Sequence, residues 1–179
     1  MDPKVAREQL RGVQDLIVQE QRELRSFIDE LKLATLVPGE IDLKFGYLLQ
    51  QLAKTVEQQW HLRVELKMDG LDGHVPAVLT REIYQIIREG LVNAARHSHA
   101  SVVEVDLQAD DHNARVTVSD NGCGFPFRGH YDDAVLASTG LGPSVIKSRV
   151  ASLGGALSID SSESGARLEV TLPLSSPRG

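Results

Sequence analysis

The chain has 179 residues, 41% of them hydrophobic and 25% charged, which is the balance of a globular domain able to bury a full core and carry an appendage. A net charge of −6 and an aromatic content of 4% argue against broad attraction to nucleic acid or to an anionic membrane, and against a stacking platform for single strands. Cys123 is the only cysteine, so an intrachain disulfide and a cysteine-built metal cluster are excluded and a reducing, cytoplasmic setting is expected.

Residues 4–33 read as one long helix. Leu10, Val13, Ile17, Leu24, Phe27 and Leu31 fall close to heptad spacing, with Glu20 breaking the seam. Such a stripe packs either on its own domain or, the favoured reading, as one arm of a helical hairpin or dimer stalk. Val37-Pro38-Gly39 ends it, so a stalk over 1–36 is expected to precede a globular domain over 41–174. Asp42 is a candidate N-cap for a second helix whose buried face is Phe45, Leu48, Leu49, Leu52, Val56 and Trp60. Leu62 to Met68 alternates as a half-buried strand, and Asp69-Gly70 and Asp72-Gly73 are turn signals. Pro76 opens a third helix with a core stripe of Leu79, Ile83, Ile86 or Ile87, Gly90 and Ala94. Residues 101–107 and 114–119 form a hairpin pattern across a longer turn. A glycine-rich stretch follows, then a helix from Pro143 to Leu153, closed by Gly154-Gly155, and two last strands. Residues 175–179 read as a flexible tail. The order predicts an α/β fold, a two-layer sandwich of a mixed sheet with helices on one face, preceded by the long N-terminal helix.

Two stretches carry candidate chemistry. The run Asp120-Asn121-Gly122-Cys123-Gly124 and the later Thr139-Gly140-Leu141-Gly142 flank a polar segment that reads as a mobile lid. Glycines let backbone approach a ligand, and consecutive N–H groups or a helix start suit phosphate. On the third helix, Glu89, Asn93, Arg96 and His97 are offset by four, seven and eight residues and so share a face. A carboxylate and an amide oxygen are hard donors suited to Mg²⁺ or its water, and Arg and His can hold phosphate oxygens. Each is ordinary alone; together with two glycine clusters they point to a nucleotide pocket. The sequence has no G-x-x-x-x-G-K-[ST], which excludes a P-loop.

Glu89 to His97, E-G-L-V-N-A-A-R-H, resembles the N box of the Bergerat-fold ATPases, which include histidine kinases, DNA gyrase, the 90-kDa heat-shock chaperone and the MutL proteins. Asp120 to Gly124 resembles their D-x-G-x-G box, Gly140-Leu141-Gly142 their second glycine box, and G-A-R-L-E-V-T-L-P-L the closing strand of sensor histidine kinases. The similarity spans roughly Ile41 to Leu174 and looks most like the sensor kinases paired with NarL-type regulators. The resemblance implies that Asn93 ligates a Mg²⁺ bridging the ATP phosphates. It implies that Glu89 positions a metal water or acts as general base, and that Arg96 and His97 face phosphate. Asp120 would accept a hydrogen bond from the adenine amino group. Gly122 and Gly124 would leave room for the nucleotide and hinge the lid, and Gly140, Leu141 and Gly142 would bring backbone N–H groups to the phosphates. ATP and Mg²⁺ are thus the expected ligands, and phosphoryl transfer rests on positioning and charge neutralisation.

Departures accompany the match. Ala166 stands where many relatives carry Thr, so a hydrogen bond near the adenine is lost or supplied elsewhere. Lys147 or Ser144 could touch phosphate, though a solvent-facing role is favoured for both. Cys123 fills a variable position. Residues 4–33 hold no histidine, so the expected phosphoacceptor lies on a helix absent from this chain. The expected partners are that histidine helix of a full-length kinase, a response regulator downstream, and a second copy through the N-terminal helix; no nucleic acid and no membrane contact by this chain are expected. The full-length protein could carry a membrane anchor. A serine kinase of the anti-sigma type and a nucleotide-gated binding module are the competing readings; the long heptad-like helix disfavours the first, and Glu89 with Asn93 the second. A chaperone or topoisomerase would need further domains.

Overall fold

The computed structural model describes residues 41–71 and 75–174, with the side chains of 41–43 excepted. The expected stalk, the Asp72-Gly73 turn and the tail lie outside the described residues. Helix α1, Ile41–Trp60, buries Phe45, Leu48, Leu49, Leu52 and Val56 of the stripe its spacing predicts, while Trp60, at its last position, is only half-buried. Asp42 falls inside its first turn rather than ahead of it. His61, at a φ of 54°, turns the chain into strand β1, Arg63–Asp69. Helix α2, Ala77–His97, follows Pro76. Strands β2, Val102–Ala109, and β3, Asn113–Asp120, make the expected hairpin.

The six strands lie in the order β1-β2-β3-β6-β5-β4, with β1 and β2 parallel and every other pair antiparallel. Val103, Val105 and Leu107 on β2 and Ala114, Val116 and Val118 on β3 are buried, alternating with outward polar positions. Strands β5, Ala156–Ser162, and β6, Gly165–Pro173, continue the layer with Leu157, Ile159, Leu168, Val170 and Leu172. The helices contact this buried face: α1 meets β1, and α2 meets β3. The mixed sheet under one helical layer is the predicted fold class. Each fully buried aliphatic side chain contributes about 1.5–3 kcal/mol relative to exposure. The outer face is polar and carries cross-strand ion pairs such as Lys67–Glu104 at 2.5 Å and Arg115–Glu169 at 3.6 Å; exposed pairs of this kind add at most about 1 kcal/mol.

Helix α2 is buried more broadly than its predicted stripe. Both Ile86 and Ile87 are inside, and so are Thr80, Tyr84, Gln85 and Leu91. The reason is that α2 contacts α1 on one flank and the helix following the glycine region on the other, as well as the sheet beneath.

The segment between the glycine clusters, which its composition suggests as a mobile lid, contains regular structure. Strand β4, Gly129–Tyr131, pairs with β5 at the sheet edge. Helix α3, Asp133–Thr139, follows at once: the Asp132 carboxylate accepts from the Val135 N–H at 2.9 Å, Leu136 is fully buried, and Gly140 at φ 70° ends it. Helix α4, Ser144–Ser152, completes the helical layer.

The hairpin tip has its own local lock. The Asp110 carboxylate accepts from the N–H groups of His112 at 2.7 Å and Asn113 at 2.8 Å, and these bonds hold its pKa below the ordinary value. A depressed carboxyl contributes stability above its unfolded pKa, lost as pH falls through the folded one. The His112 and Asn113 amide resonances are therefore expected to titrate together with a midpoint below 3.8, the unshifted value; a midpoint at or above it in a pH series of NMR spectra would contradict the lock.

Candidate functional site

Helix α2 presents Gly90, Asn93, Ala94 and His97 along one side, at offsets of three, four and seven residues. They form one wall of a cavity of about 770 Å³. Gly90 lets the helix lie close to the sheet, since a Cβ there would come within 3.0 Å of Val118 Cγ2. Val118, Ala166 and Leu168 give the cavity an apolar floor, and Asp120 lies among them at the end of β3.

The loop after β3 is tied to the end of α2. Ser98, buried beyond the last turn, donates from Oγ to the Ala94 carbonyl at 2.8 Å. Its own carbonyl accepts from the Cys123 N–H at 2.7 Å. Gly122 has no space for a side chain, because a Cβ would sit 2.1 Å from that same carbonyl oxygen. Asn121 Oδ1 accepts from the N–H groups of Ser101 at 2.9 Å and Val102 at 3.0 Å. Asp120 Oδ1 accepts from the Gly122 N–H at 2.8 Å, which fixes the orientation of its carboxylate. Gly124, at φ 69°, then turns the chain out, and the Phe125 N–H is held by Ser161 Oγ at 2.9 Å.

Gly140, Leu141 and Gly142 complete the cavity from the other side. Their loop is fastened by Lys147, whose ammonium donates to the carbonyls of Leu141 at 2.6 Å and Leu136 at 3.3 Å. Lys147 is half-buried, not solvent-facing as favoured from the sequence, and it is not among the cavity-lining residues. Ser144 is exposed at the start of α4 and does not line the cavity.

Of the residues singled out from the sequence, Asn93, His97, Asp120, Gly124, Gly140, Leu141 and Gly142 line this one cavity. Glu89, Arg96 and Gly122 are not among its lining residues. Glu89 is half-buried one turn before Asn93, Arg96 is exposed in the last turn of α2, and Gly122 sits behind the loop against Ser98. Ala166 is in cross-strand register with Asp120, so its methyl group belongs to the cavity wall where a hydroxyl was expected in relatives. Motif reading missed four lining residues, Phe125, Pro126, Phe127 and Arg128. Phe125 and Phe127 stack at 5.1 Å between ring centroids, and Phe127 meets Tyr131 at 4.6 Å. The clustering of three aromatics in a chain with so few was the available signal. Among the described residues no three His, Cys, Asp or Glu side chains gather as a metal site. Mg²⁺ is usually held by one or two protein oxygens, with phosphate and water completing its shell. Asn93 is the cavity-lining oxygen donor on α2 that could serve, with Glu89 one turn away.

The model of the histidine kinase-, DNA gyrase B-, and HSP90-like ATPases matches residues 79–176. The chain belongs to this family. It is 31% identical over 137 residues to the sensor histidine kinase MctS of Rhizobium johnstonii, a match covering 76% of this chain and 29% of that protein. It is 28% identical over 173 residues to the nitrate/nitrite sensor protein NarX of Escherichia coli, covering 91% and 25%, and 29% identical over 168 residues to the sensor histidine kinase LiaS of Bacillus subtilis, covering 92% and 43%. The chain therefore spans less than half the length of these relatives. Among solved structures, the blue-light activated histidine kinase of Erythrobacter litoralis superposes with a TM-score of 0.61 at 22% identity, covering 88% of this chain and 50% of that one, and the ATP binding domain of PrrB from Mycobacterium tuberculosis with 0.53 at 23%, covering 72% and 93%. At these identities the likeness concerns the fold. The family match and these relatives together make the part of the chain matched, residues 79–176, an ATP-binding domain of the sensor histidine kinase type.

The contact behind Gly122 is directly testable. Gly122→Ala forces a Cβ into backbone, which cannot yield as a flexible side chain can, and is expected to cost about 1–3 kcal/mol. Thermal denaturation should show a clearly lowered melting temperature; melting like the wild type would mean that the loop and α2 are not in contact.

Proposed function

We propose that the chain is the catalytic and ATP-binding part of a two-component sensor kinase, and that it transfers the γ-phosphoryl group of ATP to a histidine carried elsewhere. The observation that supports this is that Asn93 and Asp120, read from separate motifs, line one cavity together with the second glycine cluster. In this reading Asp120 accepts from the adenine amino group, its carboxylate already oriented by the Gly122 N–H. The Gly140–Gly142 backbone donates to the phosphates, and His97 faces them. Asn93 would hold Mg²⁺, which when bound neutralises phosphate charge. Glu89 accepts the imidazole proton, directly or through water, as the nitrogen–phosphorus bond forms and the bond from the γ-phosphorus to the β–γ bridging oxygen breaks, leaving ADP. Holding both reactants is the protein's main contribution.

The acceptor is a histidine-bearing helix of a full-length kinase, and the next partner is a response regulator. Among the described residues no helix is long and apolar enough to cross a membrane; the domain works in the cytoplasm.

Two experiments test this. Calorimetry should show Mg-dependent ATP binding that Asn93→Ala abolishes and that Asp120→Asn weakens about tenfold or more, the loss of one charge-assisted hydrogen bond. Wild-type affinity in either variant would contradict that residue's role. Incubation with labelled ATP and a histidine-bearing hairpin fragment should give acid-labile, alkali-stable label; acid-stable label would instead support transfer to serine.

A further inference from the structure

Arg128 is an exposed residue that lines the cavity and has no role in the reading above. It is the one lysine or arginine among the described residues that line the cavity. Arg96 is exposed and does not line the cavity, and Lys147 is committed to the carbonyls of Leu136 and Leu141. The chain is acidic, and the wall itself contributes Asp120. A nucleotide polyanion entering this cavity therefore meets one fixed positive charge.

The local structure holds the backbone of this residue while leaving its guanidinium exchangeable. Upstream, Phe125 is fastened to Ser161 and stacked on Phe127. Downstream, Gly129 opens β4 in register with the same Ser161. The guanidinium folds back on its own loop, donating from Nη1 to the carbonyls of Phe125 and Phe127. These are neutral acceptors at an exposed position. A guanidinium has five N–H donors in a planar fork that matches phosphate, and a charged acceptor makes bonds roughly twice as strong as a neutral one.

We infer that Arg128 is a phosphate-binding residue of this cavity, exchanging the Phe125 and Phe127 carbonyls for the phosphate oxygens of the bound adenine nucleotide. The inference rests on the nucleotide reading above and adds to it the residue that discriminates a nucleotide from its nucleoside.

The test is calorimetry of the full 179-residue chain with ATP, ADP and adenosine, comparing wild type with Arg128→Gln and Arg128→Lys. Arg128→Gln should weaken ATP and ADP about tenfold, the loss of a charge-assisted bond, and leave adenosine unchanged. Arg128→Lys, which keeps the charge, should recover part of the loss. Unchanged ATP affinity in Arg128→Gln would overturn the inference. So would an equal loss for all three ligands, because Arg128 would then act by shaping the loop through its carbonyls. If the wild type bound none of the three, the nucleotide reading itself would fall, a result distinct from both.

Discussion

The site depends on a short-range clamp between the end of α2 and the loop after β3. The Ser98 carbonyl takes the Cys123 N–H at 2.7 Å, and Gly122 lies against the same group. Asn121 closes the clamp from its other side by accepting two N–H groups of the chain entering β2. Asn93 is on the helix that this clamp ends, and Asp120 on the strand that it follows. Their separation is therefore set by short hydrogen bonds of the backbone, braced by the Asn121 side chain. A rigid spacing between the two ends of a ligand lowers the entropy lost on binding. Gly122, read from sequence as room for the nucleotide, makes room instead for the end of the helix.

Charge is handled with similar economy. A protein of net charge −6 has little general attraction for a polyanion. In the proposed reading the cavity compensates in two ways: with the backbone around Gly140 to Gly142, held in advance by the Lys147 ammonium, and with the Arg128 guanidinium, which would leave the loop carbonyls for phosphate. The acidic and basic side chains of the sheet's outer face neutralise one another in exposed pairs and leave the opposite face apolar for the helices.

Where local pattern and final environment agree, the sequence was a sufficient guide. The α1 stripe, the β2–β3 hairpin and the mixed sheet follow from periodicities of 3.6 and 2, which a single buried face imposes. The broader burial of α2 was not legible, because Tyr84, Gln85 and Leu91 are covered by neighbours distant in sequence. Strand β4 has three residues, too few to alternate, and is created by its pairing with β5. Helix α3 did leave a signal, Asp132 at its start and Gly140 at its end, but the glycine boxes on either side made the segment read as a lid. The motifs brought Asn93, His97, Asp120 and the second glycine cluster to one cavity, whereas Arg128 and Lys147 act through contacts outside any motif.

The most direct test of the account is an amide chemical-shift map of the full chain during titration with ATP and magnesium. The account expects simultaneous, saturable changes at the last two turns of α2, at Asp120 to Gly124 and at Gly140 to Gly142, with one common dissociation constant. Changes confined to the sheet's outer face, or different constants for the α2 and Asp120 regions, would contradict a single clamped nucleotide site.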